Sequence, residues 1–271
     1  MSHIRRHLTY SNVMATIAVF VAVGGGTAFA LAGHNTVFSD DIVNGQVKTP
    51  DLANGAVTAP KLACKGNDSK DAMVRVGSVC IDRYEDSIWT KRTGGTRITG
   101  AIPCNASGSD CKGKIFARSV RGVTPRENIT WFQAQQALAN SGKRLPTNAE
   151  WQQAVAGTPE GQCNTSDGVV RATGSFTGCV SDWGAHDMVG NVFEWVADWD
   201  EQAFFCDNWP AAFSSDTTCI GAGSNQASTH LPAALLRGGN FNGGTGAGPF
   251  ANLADFRPSD SDAGVGFRGA R

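Results

Sequence analysis

LRGGNFNGG at residues 236–244 and GFRGAR at residues 266–271 bracket the part of the chain that decides the fold. Each motif sets an arginine beside glycine, and glycine permits positive φ and close approach of two backbones. The planar fork of a guanidinium suits a buried carboxylate. We expect Arg237 and Arg268 to fix both ends of the intervening segment to the core, with ligand binding by these arginines as the alternative.

Two further motifs precede this segment: GKRLPTNAEW at residues 142–151 and DMVGNVFEW at residues 187–195. Taken in order, the motifs resemble those of the formylglycine-generating-enzyme (sulfatase-modifying factor) family, over residues 76–271. That family has a variant of the C-type lectin fold. The resemblance implies an α+β, C-type-lectin-like domain that is rich in loops, with short antiparallel strands and two or more helices.

Local patterns place the first elements of this domain. Thr130 begins a T-W-F-Q capping box followed by apolar residues at helical spacing, and Gly142 is the expected stop. Thr147 begins a second capping box, T-N-A-E, for a helix that ends at Gly157. The alternation over residues 74–89 predicts a pair of strands.

The N-terminus has the pattern of an export signal. Arg5 and Arg6 precede an apolar run over residues 13–23, and an A-F-A site ends at residue 30. This order predicts a secretory signal peptide over residues 1–30. The run is shorter than the ~20 residues of a membrane span, although an uncleaved anchor is the alternative.

A ten-residue repeat follows the signal: DIVNGQVKTPDL at residues 41–52 is echoed by DLANGAVTAPKL at residues 51–62. Each copy has an Asn-Gly turn and a proline that stops regular structure. We interpret residues 31–62 as a stalk that could support self-association, with a flexible linker as the alternative. The domain itself is expected over residues 63–271.

Charge and cysteine content narrow the class of protein. The net charge of −1 with intermixed acids and bases indicates no phosphate-binding surface, so nucleic acid is not an expected partner. Eight cysteines behind a signal peptide predict disulfides in a secreted or cell-surface bacterial protein. Eight cysteines allow 105 connectivities. Nearest-neighbour pairing is the favoured one: Cys64 with Cys80, Cys104 with Cys111, Cys163 with Cys179, and Cys206 with Cys219.

The DMVGNVFEW motif suggests a calcium site. Calcium binds six to eight oxygens from carboxylates and carbonyls, and in the resembling family this segment binds calcium. Matching residue by residue implies side-chain ligands at Asp187 and Glu194 and carbonyl ligands at Gly190 and Val192, for a structural Ca²⁺. Alternatively, the two acids cap a turn and pair with arginines such as Arg237 or Arg268.

The resemblance also bears on catalysis. Family enzymes hold copper with two cysteines after the Arg-Gly-Gly motif, whereas this chain has Gly243 and Gly248 there. Because copper(I) requires soft thiolate ligands, no copper and no catalytic residues are expected. The alternative is an oxidoreductase of the sulfatase-modifying-factor type, generating formylglycine or catalysing a related metal-dependent oxidation.

Residues 240–262 mix glycine, small polar residues and aromatics without helical or strand periodicity. They resemble the terminal segment of the variable proteins of diversity-generating retroelements, in which varied residues form an exposed binding face. The resemblance implies that Phe241 and Phe250 are buried supports and that the ligand is an unidentified protein or glycan. An ordinary glycine-rich surface loop is the alternative. The implied ligand-binding residues are Asn242, Thr245, Asn252, Asp255, Arg257 and Asp260.

Overall fold

A computed structural model of the protein describes residues 64–203, 205–220 and 231–271. The predicted signal peptide and stalk lie outside these residues and stay predictions. Among the described residues, no helix has the length and apolar character needed to cross a membrane.

Both capping boxes predicted from the sequence are confirmed. Helix α1 spans Trp131–Asn140. The Thr130 side chain accepts a hydrogen bond from the Gln133 amide, and the Gln133 side chain accepts one from the Thr130 amide. Helix α2 spans Asn148–Ala154 with the same reciprocal bonds between Thr147 and Glu150. Because each box satisfies two backbone donors that a helix start would otherwise leave open, the helices begin where the motifs lie.

Within residues 64–203, 205–220 and 231–271, ten short strands complete the regular structure, with three 3₁₀ turns at Glu160–Gln162, Ala211–Phe213 and Gly244–Gly246. The strands are β1 Met73–Val76, β2 Val79–Asp82, β3 Asp86–Trp89, β4 Phe116–Ser119, β5 Phe193–Glu201, β6 Asp207–Asn208, β7 Thr217–Cys219, β8 Pro232–Arg237, β9 Asn252–Leu253 and β10 Val265–Phe267.

The strands form two antiparallel pairs, β1–β2 and β3–β4, and one six-stranded sheet in the order β10-β5-β8-β9-β7-β6. Most pairs are antiparallel, as predicted, but β10–β5 and β7–β9 are parallel. The predicted α+β, C-type-lectin-like class is confirmed. Loops connect most of the short elements, so side-chain contacts carry much of the cohesion.

The six-stranded sheet separates two hydrophobic clusters. One row of residues in register across the strands joins the larger cluster, which also contains Ala134 and Leu138 of α1. Leu235 and Val196 point to the other face and pack with Trp151 of α2. Because neighbouring residues of a strand alternate between faces, both sides of this sheet are covered. The row facing the larger cluster is Phe267, Trp195, Leu236, Leu253 and Cys219.

All four predicted disulfides are confirmed. Cys64 pairs with Cys80, Cys104 with Cys111, Cys163 with Cys179, and Cys206 with Cys219. Such bridges are typical of an oxidising compartment. In the chain-entropy account, each closed loop stabilises the fold by ~2–3 kcal/mol.

The last residues join the start of the domain through backbone hydrogen bonds. Arg271 and Cys80 exchange bonds of 2.8 and 2.9 Å, and Ala270 and Arg144 exchange bonds of 2.7 and 3.0 Å. The Gly269 amide donates to Asp82 Oδ2 at 2.9 Å. Residues 269–271 therefore complete the structure around β2 and the segment between the helices.

Candidate functional site

A row of polar residues crosses the sheet beside the apolar row. Glu194, Arg237, Asn252 and Thr218 are partners in register on β5, β8, β9 and β7. Paired residues of adjacent strands point to the same face, so these side chains are neighbours. Glu194, Arg237 and Asn252 are buried. This polar row links the Arg237 motif to the segment predicted to bind a ligand.

Glu194 at one end of the row is the counter-ion of Arg268. The Arg268 Nη2 atom lies 2.5 Å from Glu194 Oε1, and Nε lies 2.6 Å from Oε2. The Trp151 indole also donates to Oε2 at 2.7 Å. All three side chains are almost fully buried. A bidentate, hydrogen-bonded pair of this kind is costly to break because either charge alone would be left inside the protein.

Arg237, the second arginine predicted to have a structural role, is also held inside. Its guanidinium lies over the Trp151 ring, 4.6 Å from the ring centre. It donates to the Gln152 side chain and to the Pro249 carbonyl. Burial lowers the pKa of Arg237 to about 10. The structure thus gives both arginines the structural role predicted from the sequence.

Buried acids outnumber buried bases around Glu194. Asp187 Oδ2 accepts the Gly174 amide at 2.6 Å, and Glu85 accepts the Asn191 side chain at 2.5 Å. Burial, and then the charge of Asp187, raises the pKa of Glu85 well above its usual value. Burial also raises the pKa of Asp187 to about 6. Three carboxylates therefore face one guanidinium, Arg268.

The calcium site predicted from the DMVGNVFEW motif stays a prediction. Asp187 is buried near a second buried carboxyl, Glu85, which the sequence analysis did not identify. Glu194 already receives bonds from Arg268, which is the pairing considered as the alternative. The Gly190 amide donates to the Gly238 carbonyl at 3.1 Å, and the Val192 amide donates to Glu85 Oε1 at 3.1 Å. The carbonyl ligation predicted for these two residues stays a prediction.

At the two positions where the family enzymes have copper-binding cysteines, the backbone is closely surrounded. A Cβ atom built on Gly248 would overlap the carboxylate of Asp216. A Cβ atom on Gly243 would lie 2.8 Å from the Cβ of Ala247, closer than real side chains approach. All eight cysteines are in disulfides. The residues present do not fit copper, because this place offers a carboxylate and no thiol.

Asp216 is buried beside the 246–251 turn, where it takes the volume that a side chain at residue 248 would need. Its Oδ2 atom accepts the Phe250 amide at 2.7 Å, while Oδ1 has no hydrogen-bond partner among the described residues. Burial raises the pKa of Asp216 to about 6, and the negative charge of Glu160 acts in the same direction. No local pattern identifies this carboxyl, because the position that it packs against, Gly248, is 32 residues away and has no side chain.

A cleft opens next to this turn, with a volume of about 410 Å³. Residues 244–247 form one wall, and the loop that contains Glu160, Thr165 and Ser166 forms the other. The Gly244 amide donates to the Thr165 carbonyl at 2.8 Å, which joins the two walls. The volume lies in the range of small-ligand pockets.

The structure divides the six predicted ligand-binding residues into separate groups. Asn242 and Thr245 are exposed, and Thr245 lines the cleft. Arg257 is exposed, and its amide donates to the Asp260 side chain at 3.0 Å. Arg257 and Asp260 follow β9, as does Asp255. The Asp255 carbonyl accepts a hydrogen bond from the Gln202 side chain at 2.8 Å.

Asn252 corrects the predicted binding face. Its side chain is 8% exposed and lies in the polar row between Arg237 and Thr218, because β9 passes through the sheet at this point. Phe241 and Phe250 are half-buried rather than fully buried supports. The predicted segment is thus exposed at its two ends and buried where β9 crosses.

A second buried ion cluster also escaped the sequence analysis. Lys143 Nζ lies 2.7 Å from Asp71 Oδ1 and 2.8 Å from Asp82 Oδ1, with all three side chains inaccessible to solvent. Asp86 lies in the same group. Burial raises the pKa of Asp86 well above its usual value. Lys143 belongs to the GKRLPTNAEW motif, but the distance of 61 residues to Asp82 hides the pairing from local patterns.

Comparison with known proteins places these features in a family. Residues 79–271 match the family described as the sulfatase-modifying factor enzyme 1-like domain. The chain belongs to this family. The match covers most of the chain and both arginine motifs, so the resemblance drawn from the sequence is confirmed.

The chain is also similar to two curated proteins and to one solved structure. The formylglycine-generating enzyme of Thermomonospora curvata is 30% identical over 43% of this chain and 44% of the enzyme. The serine/threonine-protein kinase Pkn1 of Chlamydia trachomatis is 33% identical over 34% of this chain and 17% of the kinase. The Major Tropism Determinant U1 variant is 20% identical, with a TM-score of 0.46 over 76% of this chain and 53% of that one. The chain spans less than half the length of these curated relatives.

Replacing Glu194 by glutamine should strongly destabilise the domain. Glu194→Gln removes the carboxylate that binds Arg268 through two hydrogen bonds, while the charges of Glu85 and Asp187 remain near the guanidinium. Breaking a buried pair costs up to about 3–5 kcal/mol, and the two remaining acids reduce this loss. Urea unfolding of the wild type and the variant measures the loss. The control is Asp167→Asn, since its partner Arg171 is half exposed and exposed pairs contribute about 0–1 kcal/mol. Equal losses in the two variants would contradict the assigned role of Arg268.

Asp216 should make stability depend on pH. An unfolded aspartate titrates near ~3.9, whereas in the fold Asp216 titrates at about 6. The folded state therefore binds this proton more tightly, so the contribution of Asp216 is full in acid and is lost as the pH rises through 6. We expect wild type to lose stability relative to Asp216→Asn between pH 4 and pH 7, as measured by urea unfolding at several pH values. A difference that does not vary with pH would show that Asp216 titrates normally.

Proposed function

We propose that this chain is an exported, non-catalytic binding protein whose sulfatase-modifying-factor domain presents the cleft beside residues 244–247 to a protein or glycan. The observation that carries this proposal is the place of Asp216. Its carboxylate takes the volume of a side chain at Gly248, where the resembling enzymes have a thiol that holds copper.

The surface around the cleft supports recognition. Thr165, Ser166 and Thr245 offer hydroxyl groups along its walls. Phe213 is 44% exposed and packs edge-on against Phe250 at 5.5 Å between ring centres. Small polar residues beside rigid aromatics are the combination that antibody paratopes use, because it gives contact area and hydrogen bonds at low conformational cost.

Export is part of the same proposal. A signal peptide over residues 1–30 would deliver the chain to the compartment in which its four disulfides form. The repeats over residues 31–62 would then hold the domain away from the surface or join copies of the chain. The protein would be secreted or attached to the bacterial cell surface.

The second candidate function is a metal-dependent oxidation. Family membership and the 30% identity with a formylglycine-generating enzyme favour it. It would need metal ligands other than the thiol pair. Among the described residues, the carboxylates of Glu160 and Asp216 are the charged groups near the cleft, and neither is a soft ligand.

Binding and turnover assays on the full chain distinguish the two functions. With copper and a Cys-x-Pro-x-Arg peptide we expect no aldehyde by mass spectrometry, whereas turnover would support the oxidase. Glycan and protein arrays should yield a ligand for the wild type. Thr245→Ala, which removes a hydroxyl from the cleft wall, should weaken that ligand by ~10-fold, about 1.4 kcal/mol.

Arg257→Ala provides the matched control for the binding assay. Arg257 is exposed in the same C-terminal segment but lies outside the cleft lining. The resemblance named Arg257 as a ligand-binding residue, whereas binding by the cleft alone predicts that this variant binds as the wild type does. A ligand that responds to Arg257→Ala and not to Thr245→Ala would place recognition on the other exposed end of the segment.

We also propose that calcium stabilises the domain at the acids around Asp187. A divalent cation would neutralise the two charges that Arg268 leaves unbalanced. At ~100 times its dissociation constant, calcium would contribute ~2.7 kcal/mol. The midpoint of thermal unfolding should therefore be higher in calcium than in a chelator, and Asp187→Asn should reduce this difference. Equal midpoints would mean that Glu85 and Asp187 keep protons in place of a metal.

A further inference from the structure

A second cleft, on another part of the domain, contains two arginines without acidic partners. Its volume is about 210 Å³, and its lining includes Ser87, Arg97, Thr99, Thr124, Arg126 and Glu127. Among the described residues, no carboxylate lies within ion-pair distance of either guanidinium. The arginines that form ion pairs in this part of the chain are Arg118, Arg144, Arg171 and Arg268. We infer that this cleft binds an oxyanion group, such as a sulfate, phosphate or carboxylate.

Strand β3 forms the floor of this cleft and fixes both walls. The Ile98 amide donates to the Ile88 carbonyl at 2.8 Å, which holds the segment that carries Arg97. The Arg126 amide donates to the Asp86 carbonyl at 2.8 Å, which holds the opposite segment. Backbone bonds to one strand thus set the spacing between the two arginines.

The guanidinium groups are themselves anchored across the cleft. Arg97 Nη1 donates to the Thr124 carbonyl at 3.0 Å, and Arg126 Nη1 donates to the Gly100 carbonyl at 2.9 Å. Each arginine therefore reaches the wall that carries the other. A guanidinium has five N–H donors, so both forks keep donors for a ligand after making these bonds. Anchoring them in advance reduces the conformational entropy that binding would cost.

Arg126 has a specific unmet requirement. Its Nε atom is buried and has no hydrogen-bond partner within the part of the chain that the structure describes. Burial also lowers the pKa of Arg126, although Glu127 acts in the opposite direction. A buried donor without an acceptor is costly, and an anionic oxygen would satisfy both the donor and the charge. Two guanidiniums against the single carboxylate of Glu127 leave the cleft with an excess positive charge.

Hydroxyl groups add to the selection of an oxyanion. Thr99 and Thr124 line the same cleft, and hydroxyls donate readily to sulfate, phosphate or carboxylate oxygens. The Ser87 hydroxyl also lies there but already donates to the Arg118 carbonyl at 3.2 Å. Arginine binds these groups through two parallel N–H bonds. The small volume suits one anionic group of a larger molecule or a free anion. This site is independent of the cleft beside Thr245.

Isothermal titration of the full chain tests this site. Sodium sulfate, phosphate and acetate are titrated separately, with the ionic strength held constant by sodium chloride. Comparing their affinities shows whether the site prefers tetrahedral or planar anions. We expect saturable binding of at least one of them with one site per chain. Arg126→Gln and Arg97→Gln should each weaken it by ~10-fold or more, the loss expected for one charged hydrogen-bonding partner.

Two controls make the result specific. Arg121→Gln removes an exposed arginine outside the cleft lining and should leave the affinity unchanged. Arg97→Lys keeps the charge but loses the fork, so weaker binding in this variant identifies the fork rather than charge alone. Circular dichroism confirms that each variant is folded, and the Arg97 variants suffice if Arg126→Gln unfolds. Absence of saturation up to 50 mM, which is about 50 times a dissociation constant on the order of 1 mM, or equal weakening by Arg121→Gln, would overturn the inference.

Discussion

Arg268 joins three parts of the chain that are far apart in sequence. Besides Glu194, its guanidinium donates to the Asp82 carbonyl at 3.0 Å and to the His186 carbonyl at 2.9 Å. These carbonyls and the Glu194 carboxylate accept bonds from all three nitrogens of the Arg268 guanidinium, which has five N–H donors. A lysine could supply the charge but not this geometry, so the arrangement of β2, β5 and the loop before β5 depends on arginine.

The six-stranded sheet combines a buried, hydrogen-bonded interior with loops that are exposed to solvent. At one end of the polar row, both oxygens of the Glu194 carboxylate accept hydrogen bonds from Arg268 or Trp151. At the other end the strands are two or three residues long, and the loops that leave them reach solvent. Loops supported by a rigid sheet tolerate change of sequence better than the sheet itself. Recognition is therefore expected at the loops, while the arginines hold the sheet and the core together.

Local patterns were sufficient for the features that depend on neighbouring residues. The capping boxes at Thr130 and Thr147 gave both helices, and short spacings gave all four disulfides, because each involves residues close in sequence. The family resemblance supplied the fold. The predicted calcium ligands and ligand-binding residues rest on matched motifs. A motif match indicates the residue type at a position but not its exposure, so it does not predict that β9 buries Asn252.

Local patterns and matched motifs do not predict interactions between residues that are far apart in the sequence. The pairing of Lys143 with Asp82, and the approach of Asp216 to Gly248, follow from how loops cross in three dimensions. A glycine in the sequence shows that a side chain is absent, but not what fills its place. Similarly, Arg97 and Arg126 resemble ordinary surface arginines until β3 is seen to hold both of them at one cleft.

The packing of Asp216 against Gly248 also constrains how this domain could change during evolution. A side chain at residue 248 would meet the Asp216 carboxylate, so it could be accommodated only if that carboxylate moved or residue 216 changed as well. Moving the carboxylate would break its bond with the Phe250 amide. Substitutions at these two positions are therefore expected to depend on each other.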